Sequence, residues 1–380
     1  MKRGCNSKRG QVAMEFLMTY GWAIIIILLA IAALWLLGVF SPSVSSTCQL
    51  EAPFNCQDVL IGENAVVLKI ATGTDISTAT VNSMTVNGQA CSSIDGTLNS
   101  NQVGDIICTG LTLEEDEKTT AEITISYNRP GGLTKSVEGA ISGSTTKLPV
   151  SCNDLGGATS GWHQVYPKTT SNVVKIMDVY CDMTTDGGGW TLVWSNLRGG
   201  INKPVTNMLW NDAIDTTTRT SFGTTATTPK HHSADLETFN YYIGLGFWEQ
   251  FGDEIRYDWS TDYGQPLDQQ MYADFSFDEA NDYTIQMSNY QQKIGSVTAG
   301  LYGTHNNFPF STLDDDNSPG CVSQHSGTPW WYESCWSGSI NAGGETEASG
   351  HKNGAQWWAS YNTWGVPGGQ GSGNGWIYVR

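Results

Sequence analysis

Residues 181–193 read Cys181-Asp182-Met183-Thr184-Thr185-Asp186-Gly187-Gly188-Gly189-Trp190-Thr191-Leu192-Val193, a specific string in the C-terminal part of the chain. The region around it, residues 151–380, holds all the tryptophans except Trp22 and Trp35. Tryptophan in such a domain is mostly a core residue. Glycines crowd the last forty residues, and only short helices are expected, over 236–240 and 246–251. This composition predicts an α+β domain with many loops over residues 148–380. We call this region the head.

The string resembles the hallmark of fibrinogen-related domains, a family that includes fibrinogen C-terminal modules, ficolins and tachylectin-like lectins. Four further segments carry the resemblance, which covers roughly residues 151–362: Gly161-Trp162-His163-Gln164-Val165-Tyr166-Pro167, Asn240-Tyr241-Tyr242-Ile243-Gly244-Leu245, Phe308-Pro309-Phe310-Ser311-Thr312-Leu313-Asp314-Asp315-Asp316-Asn317 and Trp330-Trp331-Tyr332-Glu333-Ser334-Cys335. The resemblance implies the two disulfides of the family, Cys152–Cys181 and Cys321–Cys335.

A run of acidic residues lies in the third of these segments, where the family has a calcium loop. The resemblance implies that Asp314 and Asp316 are calcium ligands and that carbonyl groups near Ser318 and Gly320 complete the shell. Hard oxygen ligands at alternate positions of a turn suit Ca²⁺, which takes six to eight oxygens. The alternative is an acidic turn that hydrogen-bonds its own backbone.

The family's ligand pocket lies beside this loop, between the second disulfide and aromatic side chains. The resemblance assigns six residues of this protein to it: Trp331, Tyr332, Ser334, Cys335, Trp336 and Tyr361. Relatives that recognise N-acetyl groups commonly have histidine where Trp336 stands, and a tryptophan face stacks on sugar C–H surfaces or on cations. We therefore expect a glycan or an acetylated ligand. Core packing is the alternative for Trp331, Tyr332 and Tyr361.

The N-terminal forty residues combine a basic leader with an apolar run. Residues 1–10 contain four basic side chains, and the run from Val12 to Phe40 contains one ionised group, Glu15. The run is about twice as long as the apolar part of a cleaved signal peptide, and as a helix it would measure about 45 Å. Basic residues before it keep the leader cytoplasmic and send the rest outward. We predict a leader over 1–10 and a hydrophobic helix over 11–41.

The string Lys8-Arg9-Gly10-Gln11-Val12-Ala13-Met14-Glu15-Phe16 resembles the leader of archaeal type IV pilins with a class III signal peptide. The resemblance implies cleavage by a prepilin peptidase between Gly10 and Gln11. It also implies that Glu15 neutralises the new N-terminal amine of a neighbouring subunit during filament assembly, and a buried charge is tolerated when it is paired. A plain one-pass membrane anchor is the alternative.

Residues 42–147 have the pattern of an all-β sandwich, and we call this region the sandwich. Residues 65–70 and 81–86 are strand-like, Asn87-Gly88 signals a hairpin turn, and residues 121–127 alternate apolar and polar positions. Residues 41–47 and 142–147 read as linkers.

Eight cysteines follow the leader, and an even number is expected of an exported disulfide protein. By proximity the simplest pairings in the sandwich are Cys48 with Cys56 and Cys91 with Cys108, although the sequence does not fix them.

The composition excludes several functions. Acidic residues number 37 and basic ones 19, which argues against nucleic-acid binding. The sequence has no nucleophile elbow, no H-E-x-x-H and no phosphate loop, and no motif places two carboxylates as a glycosidase pair. The adjacent His231 and His232 lie in a threonine-rich stretch and read as exposed polar residues. We therefore predict a protein that is not an enzyme.

These features together predict an exported pilin-like filament subunit or adhesin that displays a calcium-supported, lectin-like head at the cell surface. Its expected partners are other pilin subunits, the prepilin peptidase, the membrane before assembly, and a glycan or acetylated ligand. The main alternative is a monomeric membrane-anchored protein whose head binds a protein or a glycan. A surface glycan hydrolase is a third hypothesis.

Overall fold

The computed structural model describes residues 25–29, 46–196, 208–215, 241–260, 266–267, 269–295, 302–303, 305–318, 320–324, 327, 329–333, 338–339, 355–357 and 371–380. Residues 25–29 are helical. The rest of the helix expected over 11–41 lies outside the described residues, as do the leader, Gly10, Gln11 and Glu15. Within the described part of the protein, no helix has both the length and the apolar character needed to span a bilayer.

The sandwich consists of nine strands. They are β1 (Thr47–Leu50), β2 (Phe54–Ile61), β3 (Ala65–Thr72), β4 (Thr78–Val86), β5 (Gln89–Ala90), β6 (Ser93–Asp95), β7 (Val103–Thr109), β8 (Lys118–Asn128) and β9 (Thr134–Ser144). One antiparallel sheet has the order β1-β9-β8-β4-β5 and the other the order β2-β3-β7-β6. Apolar side chains from both sheets form one core between them.

Local sequence signals account for much of this sandwich. Buried and exposed positions alternate along β8, with Ile123 and Ile125 facing the core, as the period of two predicts. Asn87 and Gly88 connect β4 to β5 with positive φ angles of 48° and 78°. A two-residue hairpin turn of this kind needs such angles at both positions, so the predicted turn is confirmed.

Two disulfides join one sheet of the sandwich to the other. Cys48 of β1 is bonded to Cys56 of β2, and Cys91, just after β5, is bonded to Cys108 of β7. These are the pairings that proximity along the sequence favoured. Each bond closes a loop of 8 or 17 residues, and closing a 15-residue loop removes about 3 kcal/mol of unfolded-state entropy in the chain-entropy model.

The described part of the head is mostly β-sheet. Its strands are β10 (Gly161–Val165), β11 (Met177–Asp182), β12 (Trp190–Asn196), β13 (Tyr241–Tyr242), β14 (Glu254–Ser260), β15 (Gln269–Asp278), β16 (Thr284–Ile294), β17 (Phe310–Ser311), β18 (Trp330–Trp331), β19 (Gly338–Ser339), β20 (Ala355–Trp357) and β21 (Gly371–Val379). The main path of the large sheet is β10-β11-β12-β21-β14-β15-β16, with β13 pairing with β12 and β20 linking β19 to β21.

Helices in the described head are short. They are α1 (Trp210–Asp215), α2 (Trp248–Phe251), α3 (Cys321–Gln324) and the 3₁₀ turns Cys152–Asp154, Thr185–Gly187, Leu245–Phe247 and Glu279–Asn281. The short helix expected over 246–251 is present as the 3₁₀ turn before α2 followed by α2 itself. The other one, over 236–240, lies outside the described residues.

Aromatic side chains fill the core of the head, as the tryptophan content predicts. The wholly buried tryptophans are Trp190, Trp194, Trp248, Trp259, Trp330, Trp331 and Trp376. Trp194 lies near the centre, with its ring 4.8 Å from that of Tyr242 and 5.6 Å from that of Trp330, both edge to face. Such pairs contribute about 0.5–1.5 kcal/mol each beyond the area they bury.

The prediction of a linker over residues 142–147 is wrong. Residues up to Ser144 belong to β9, and the side chain of Thr145 is completely buried. Thr146 donates its backbone N–H to the carbonyl of Ile61 over 2.8 Å. The serine, glycine and threonine content suggested a flexible stretch, but small polar side chains also fit a tightly packed crossing between two sheets.

Replacing Trp194 with alanine should destabilise the protein by about 3–5 kcal/mol, because it leaves a large cavity among buried rings. Denaturant unfolding followed by circular dichroism measures this change. Leu133→Ala is the control, since Leu133 is 73% exposed and surface changes usually stay within about 0.5 kcal/mol. Equal effects of the two substitutions would contradict the central position of Trp194.

Candidate binding site

The carboxylate of Asp182 organises the loop that follows β11. Its Oδ1 accepts hydrogen bonds from the backbone N–H of Thr184 and Thr185, both at 3.1 Å, and from the Thr184 hydroxyl at 2.9 Å. Its Oδ2 accepts a hydrogen bond from the guanidinium of Arg256 at 2.8 Å. Asp182 therefore fixes the loop's backbone and ties it to β14 in the middle of the sheet.

Trp190, at the start of β12, lies close to two guanidinium groups. The Cζ atom of Arg256 is 4.9 Å from the ring and that of Arg380 is 4.3 Å from it. Arg380 also donates hydrogen bonds to Glu254 Oε2 at 2.6 and 2.9 Å and to the carbonyl of Asp186 at 2.7 Å. Cation–π contacts contribute about 0.5–1 kcal/mol at exposed sites and about 2 kcal/mol where water is excluded, so these contacts help to hold the loop on the sheet.

Steric constraints require glycine at two positions of the string. Gly188 and Gly189 have φ angles of 81° and 79°. A Cβ atom on Gly188 would lie 2.4 Å from the carbonyl oxygen of Met183, and one on Gly189 would lie 2.8 Å from Asn153 Oδ1. Only glycine fits both the left-handed backbone and this close approach. The specific string therefore has a structural role, which is to build this loop.

Two buried carboxylates lie beside one buried guanidinium in this region. Arg256 and Asp258 are completely buried, and Arg256 Nε lies 3.1 Å from Asp258 Oδ2. Burial acts to raise the pKa of Asp182, but the charge of Arg256 and the hydrogen bonds from Thr184 and Thr185 outweigh it and hold that pKa well below its usual range. The carboxylate is therefore ionised at neutral pH, where it compensates the guanidinium.

The acidic loop expected to hold calcium follows β17, and its first carboxylate is tied to α1. Asp314 Oδ1 accepts hydrogen bonds from the Thr312 hydroxyl at 2.9 Å and from the backbone N–H of Trp210 at 2.8 Å. Burial acts to raise the pKa of Asp314, but these hydrogen bonds outweigh it and keep the pKa below its ordinary value. Trp210 was not identified from the sequence, since it lies 104 residues before Asp314.

The second carboxylate is held locally. Asp316 Oδ1 accepts a hydrogen bond from the backbone N–H of Ser318 at 3.0 Å and one from its hydroxyl. The Ser318 hydroxyl oxygen in turn accepts from the N–H of Cys321 at 2.9 Å, and the Ser318 carbonyl accepts from the N–H of Gly320 at 2.7 Å. Hydrogen bonds thus join three of the predicted ligand residues, Asp316, Ser318 and Gly320, whereas the Asp314 carboxylate is bonded to Thr312 and Trp210.

The donor set of this turn fits Ca²⁺ in kind, because carboxylate and carbonyl oxygens are the ligands this ion takes. Among the described residues, no group of three or more His, Cys, Asp or Glu side chains is placed to hold a metal ion. An ion here would therefore depend on carbonyl groups in addition to Asp314 and Asp316. Burial, followed by the charges of Asp282 and Asp314, raises the pKa of Asp315.

Two of the expected ligand residues are buried beside the loop. The ring of Trp331 stacks on Phe277 at 6.0 Å, and its Nε1–H donates to the carbonyl of Tyr283 at 2.9 Å. Trp331 and Tyr332 are 0% and 2% exposed. This burial favours core packing, which was the alternative interpretation of these two residues. Burial, and then the charge of Asp316, raises the pKa of Tyr332, which places Tyr332 near the acidic turn.

The remaining expected ligand residues, Ser334, Cys335, Trp336 and Tyr361, lie outside the described residues, as do His231 and His232. Cys321 is disulfide-bonded, whereas its expected partner Cys335 is not described. Cys152 and Cys181 form the other bond that the resemblance implies, with an S–S distance of 1.98 Å.

Comparisons with known proteins point in one direction. The family model "Fibrinogen beta and gamma chains, C-terminal globular domain" matches residues 149–365. Techylectin-5A of Tachypleus tridentatus is 26% identical over 243 residues, which are 56% of this chain and 70% of the relative. The fibrinogen alpha chain of Mus musculus is 28% identical over 211 residues, 50% of this chain and 24% of the relative.

Among solved structures, the fibrinogen-like globe domain of human ANGPTL2 covers 61% of this chain and 98% of its own, with 20% identity and a TM-score of 0.43. The chain spans about a quarter of the length of the mouse fibrinogen alpha chain.

Replacing Asp182 with asparagine should destabilise the protein by about 1.5–3 kcal/mol at neutral pH, because it removes the charged acceptor of the Arg256 hydrogen bond while Asp258 remains beside the guanidinium. The pKa of Asp182 is lowered on folding. Its stabilisation is therefore complete above the unfolded pKa of about 3.9 and is lost as the pH falls toward the folded pKa. Chemical denaturation between pH 2 and 7 should show the two proteins converging in acid.

Glu279→Gln, on an exposed turn, is the control and should follow the unmodified protein at every pH. A constant difference between Asp182→Asn and the unmodified protein down to pH 2 would contradict the charge-based explanation.

Proposed function

Since this protein belongs to the family of the C-terminal globular domains of fibrinogen beta and gamma chains, which its residues 149–365 match, we propose that the head is a binding module for surface adhesion. The family match is the observation that carries this proposal. One matching relative is by name a lectin, which supports a glycan as the ligand. The hydrogen-bonded acidic turn and the disulfide-bonded Cys321 would give a binding site a fixed shape.

The proposed ligand contact lies beyond β18, at Ser334, Cys335, Trp336 and Tyr361. The indole face of Trp336 would stack on the C–H face of a sugar or on a cationic group. The resemblance supports this location, because it places the ligand pocket beside the acidic loop and the disulfide of Cys321. A glycan or an acetylated group is the proposed ligand class.

Calcium is proposed as a structural ion of the acidic turn. Asp314 and Asp316 would supply carboxylate oxygens, and Ser318 and Gly320 would supply carbonyl oxygens. The ion would supply positive charge where three consecutive aspartates repel one another. Residues of the protein itself hold the turn together, since Thr312, Trp210 and Ser318 hydrogen-bond the two carboxylates.

The N-terminal part is proposed to deliver the head to the cell surface. In this proposal the leader is cut between Gly10 and Gln11 by a prepilin peptidase, the helix inserts in the membrane, and Glu15 pairs with a neighbouring subunit when a filament assembles. The apolar run in the sequence supports membrane insertion. Disulfides persist in oxidising environments, so the three described bonds support export. A monomeric anchored protein is the second candidate, favoured by the same run.

The full-length protein, kept in detergent micelles, should bind glycans or acetylated ligands on an array in the presence of calcium and bind less strongly with a chelator. Trp336→Ala should weaken binding about tenfold, equivalent to about 1.4 kcal/mol. The double variant Asp314→Asn/Asp316→Asn should behave like chelated protein under both conditions. Glu115→Gln, in the exposed acidic run of the sandwich, is the matched control and should bind normally.

Equal signals with calcium and with chelator would exclude the calcium role but leave the lectin proposal standing. The absence of any signal would count against the lectin proposal, and release of sugar products from the array would favour the glycan hydrolase.

The mature protein purified from its native membrane should begin at Gln11, because the leader string resembles a prepilin peptidase site. Mass spectrometry of the N-terminal peptide measures this directly. A Gly10 substitution that blocks cleavage should leave Met1 in place and prevent filament assembly. Retention of Met1 in the unmodified protein would support the monomeric anchor.

A further inference from the structure

The segment after β9 is hydrogen-bonded to the sandwich residue by residue. The backbone N–H of Thr145 donates to the carbonyl of Glu117 at 2.9 Å, and its buried hydroxyl pairs with that of Thr119 at 2.8 Å. Thr146 then donates its N–H to Ile61 at 2.8 Å. The two residues are therefore part of the sandwich and do not form a free connection.

The next residues are bonded to the head. The carbonyl of Pro149 accepts a hydrogen bond from the backbone N–H of Tyr166 at 2.8 Å. Asp154 Oδ2 accepts from the N–H of Val150 at 2.9 Å, and Asp154 Oδ1 lies 3.2 Å from the ammonium of Lys147. The connecting segment is therefore bonded to the sandwich up to Thr146 and to the head from Lys147 onward.

An apolar layer fills the space between the two bodies. In β3 the side chains of Val66 and Leu68 face the core of the sandwich, whereas those of its neighbours Ala65 and Val67 face the opposite way. This second face is buried against the head. The layer consists of Ala65, Val67, Ile107, Leu148, Tyr166 and Val174, each no more than 9% exposed.

Two specific contacts, one of packing and one of charge, stabilise this layer. Leu148 sits directly over Gly62, where a Cβ atom would be 2.3 Å from Leu148 Cγ. Lys175 of the head forms an ion pair with Asp95 of the sandwich. Burial, and then the charges of Asp105 and Asp58 in the sandwich, raises the pKa of Tyr166, which shows how near the sandwich carboxylates lie to this phenol.

We propose that the sandwich and the head form one cooperative unit without a hinge between them, so that the head is presented at a fixed angle to whatever holds the sandwich. The whole connection lies in the continuously described residues 46–196, and each of its residues from Thr145 to Val150 is bonded or packed to one of the two bodies. This inference goes beyond the proposed adhesion and holds for any ligand.

Tryptophan fluorescence can test the proposal in the full-length protein. Residues 46–147 contain no tryptophan, and thirteen tryptophans lie in the head, so the change in emission on unfolding reports on the head. Ile123→Ala removes a buried side chain from the core of the sandwich, on the sheet opposite the junction. If the two bodies unfold together, this substitution lowers the fluorescence-detected midpoint by as much as it lowers the midpoint measured by calorimetry.

Gly62→Val should uncouple the two bodies, because the added side chain displaces Leu148. We expect hydrogen exchange of the Thr146 and Tyr166 amides to become at least about tenfold faster, and Ile123→Ala should then no longer shift the head's midpoint. Gly156→Val is the matched control, since a Cβ there meets nothing within 4 Å. Leu148→Ala replaces Gly62→Val if the latter fails to fold.

Two results would overturn the proposal. One is a head midpoint that stays unchanged in Ile123→Ala while calorimetry shows a separate, earlier sandwich transition. The other is amide protection in Gly62→Val or Leu148→Ala equal to that in Gly156→Val. Failure of the array experiment would leave this test unaffected, because the unfolding and exchange measurements use no ligand.

Discussion

The head depends on compensating one buried positive charge. Arg256 in β14 has no exposed surface, and an unpaired charge in such a place would cost several kcal/mol. Asp182 and Asp258 each form an ion pair with it, and the ring of Tyr378 in β21 lies 4.0 Å from the guanidinium. These contacts link the loop after β11 to two central strands. The glycines of the specific string belong to the same loop, where Gly188 and Gly189 permit its close approach to Met183 and Asn153.

Features set by neighbouring residues could be predicted from the sequence. The alternation in β8, the hairpin turn at Asn87 and Gly88, and the short-range disulfides all depend on residues close in the sequence. Features set by distant residues could not. Trp331 looks like a binding aromatic in its local string, but Phe277 and Tyr283 enclose it from more than forty positions away.

The packing of the sandwich against the head also depends on distant residues, although one feature of the sequence indicated it. The run Ala65-Val66-Val67-Leu68 is apolar at every position, and a strand with one solvent-facing side should alternate. A continuous run indicates burial on both faces. For the acidic turn, the sequence predicted Asp314 and Asp316 as calcium ligands, which stays a prediction. The hydrogen bond from the backbone N–H of Trp210 to Asp314 could not be predicted, because no sequence pattern relates residues 104 positions apart.

The position of β21 has a consequence for how the molecule is made. This strand follows every other described strand of the large sheet in sequence, yet it lies between β12 and β14 in the middle of that sheet. The two halves of the sheet therefore cannot join until residues 371–379 have left the ribosome. A nascent chain that lacks these residues therefore carries two partial sheets and exposes the unpaired edges of β12 and β14.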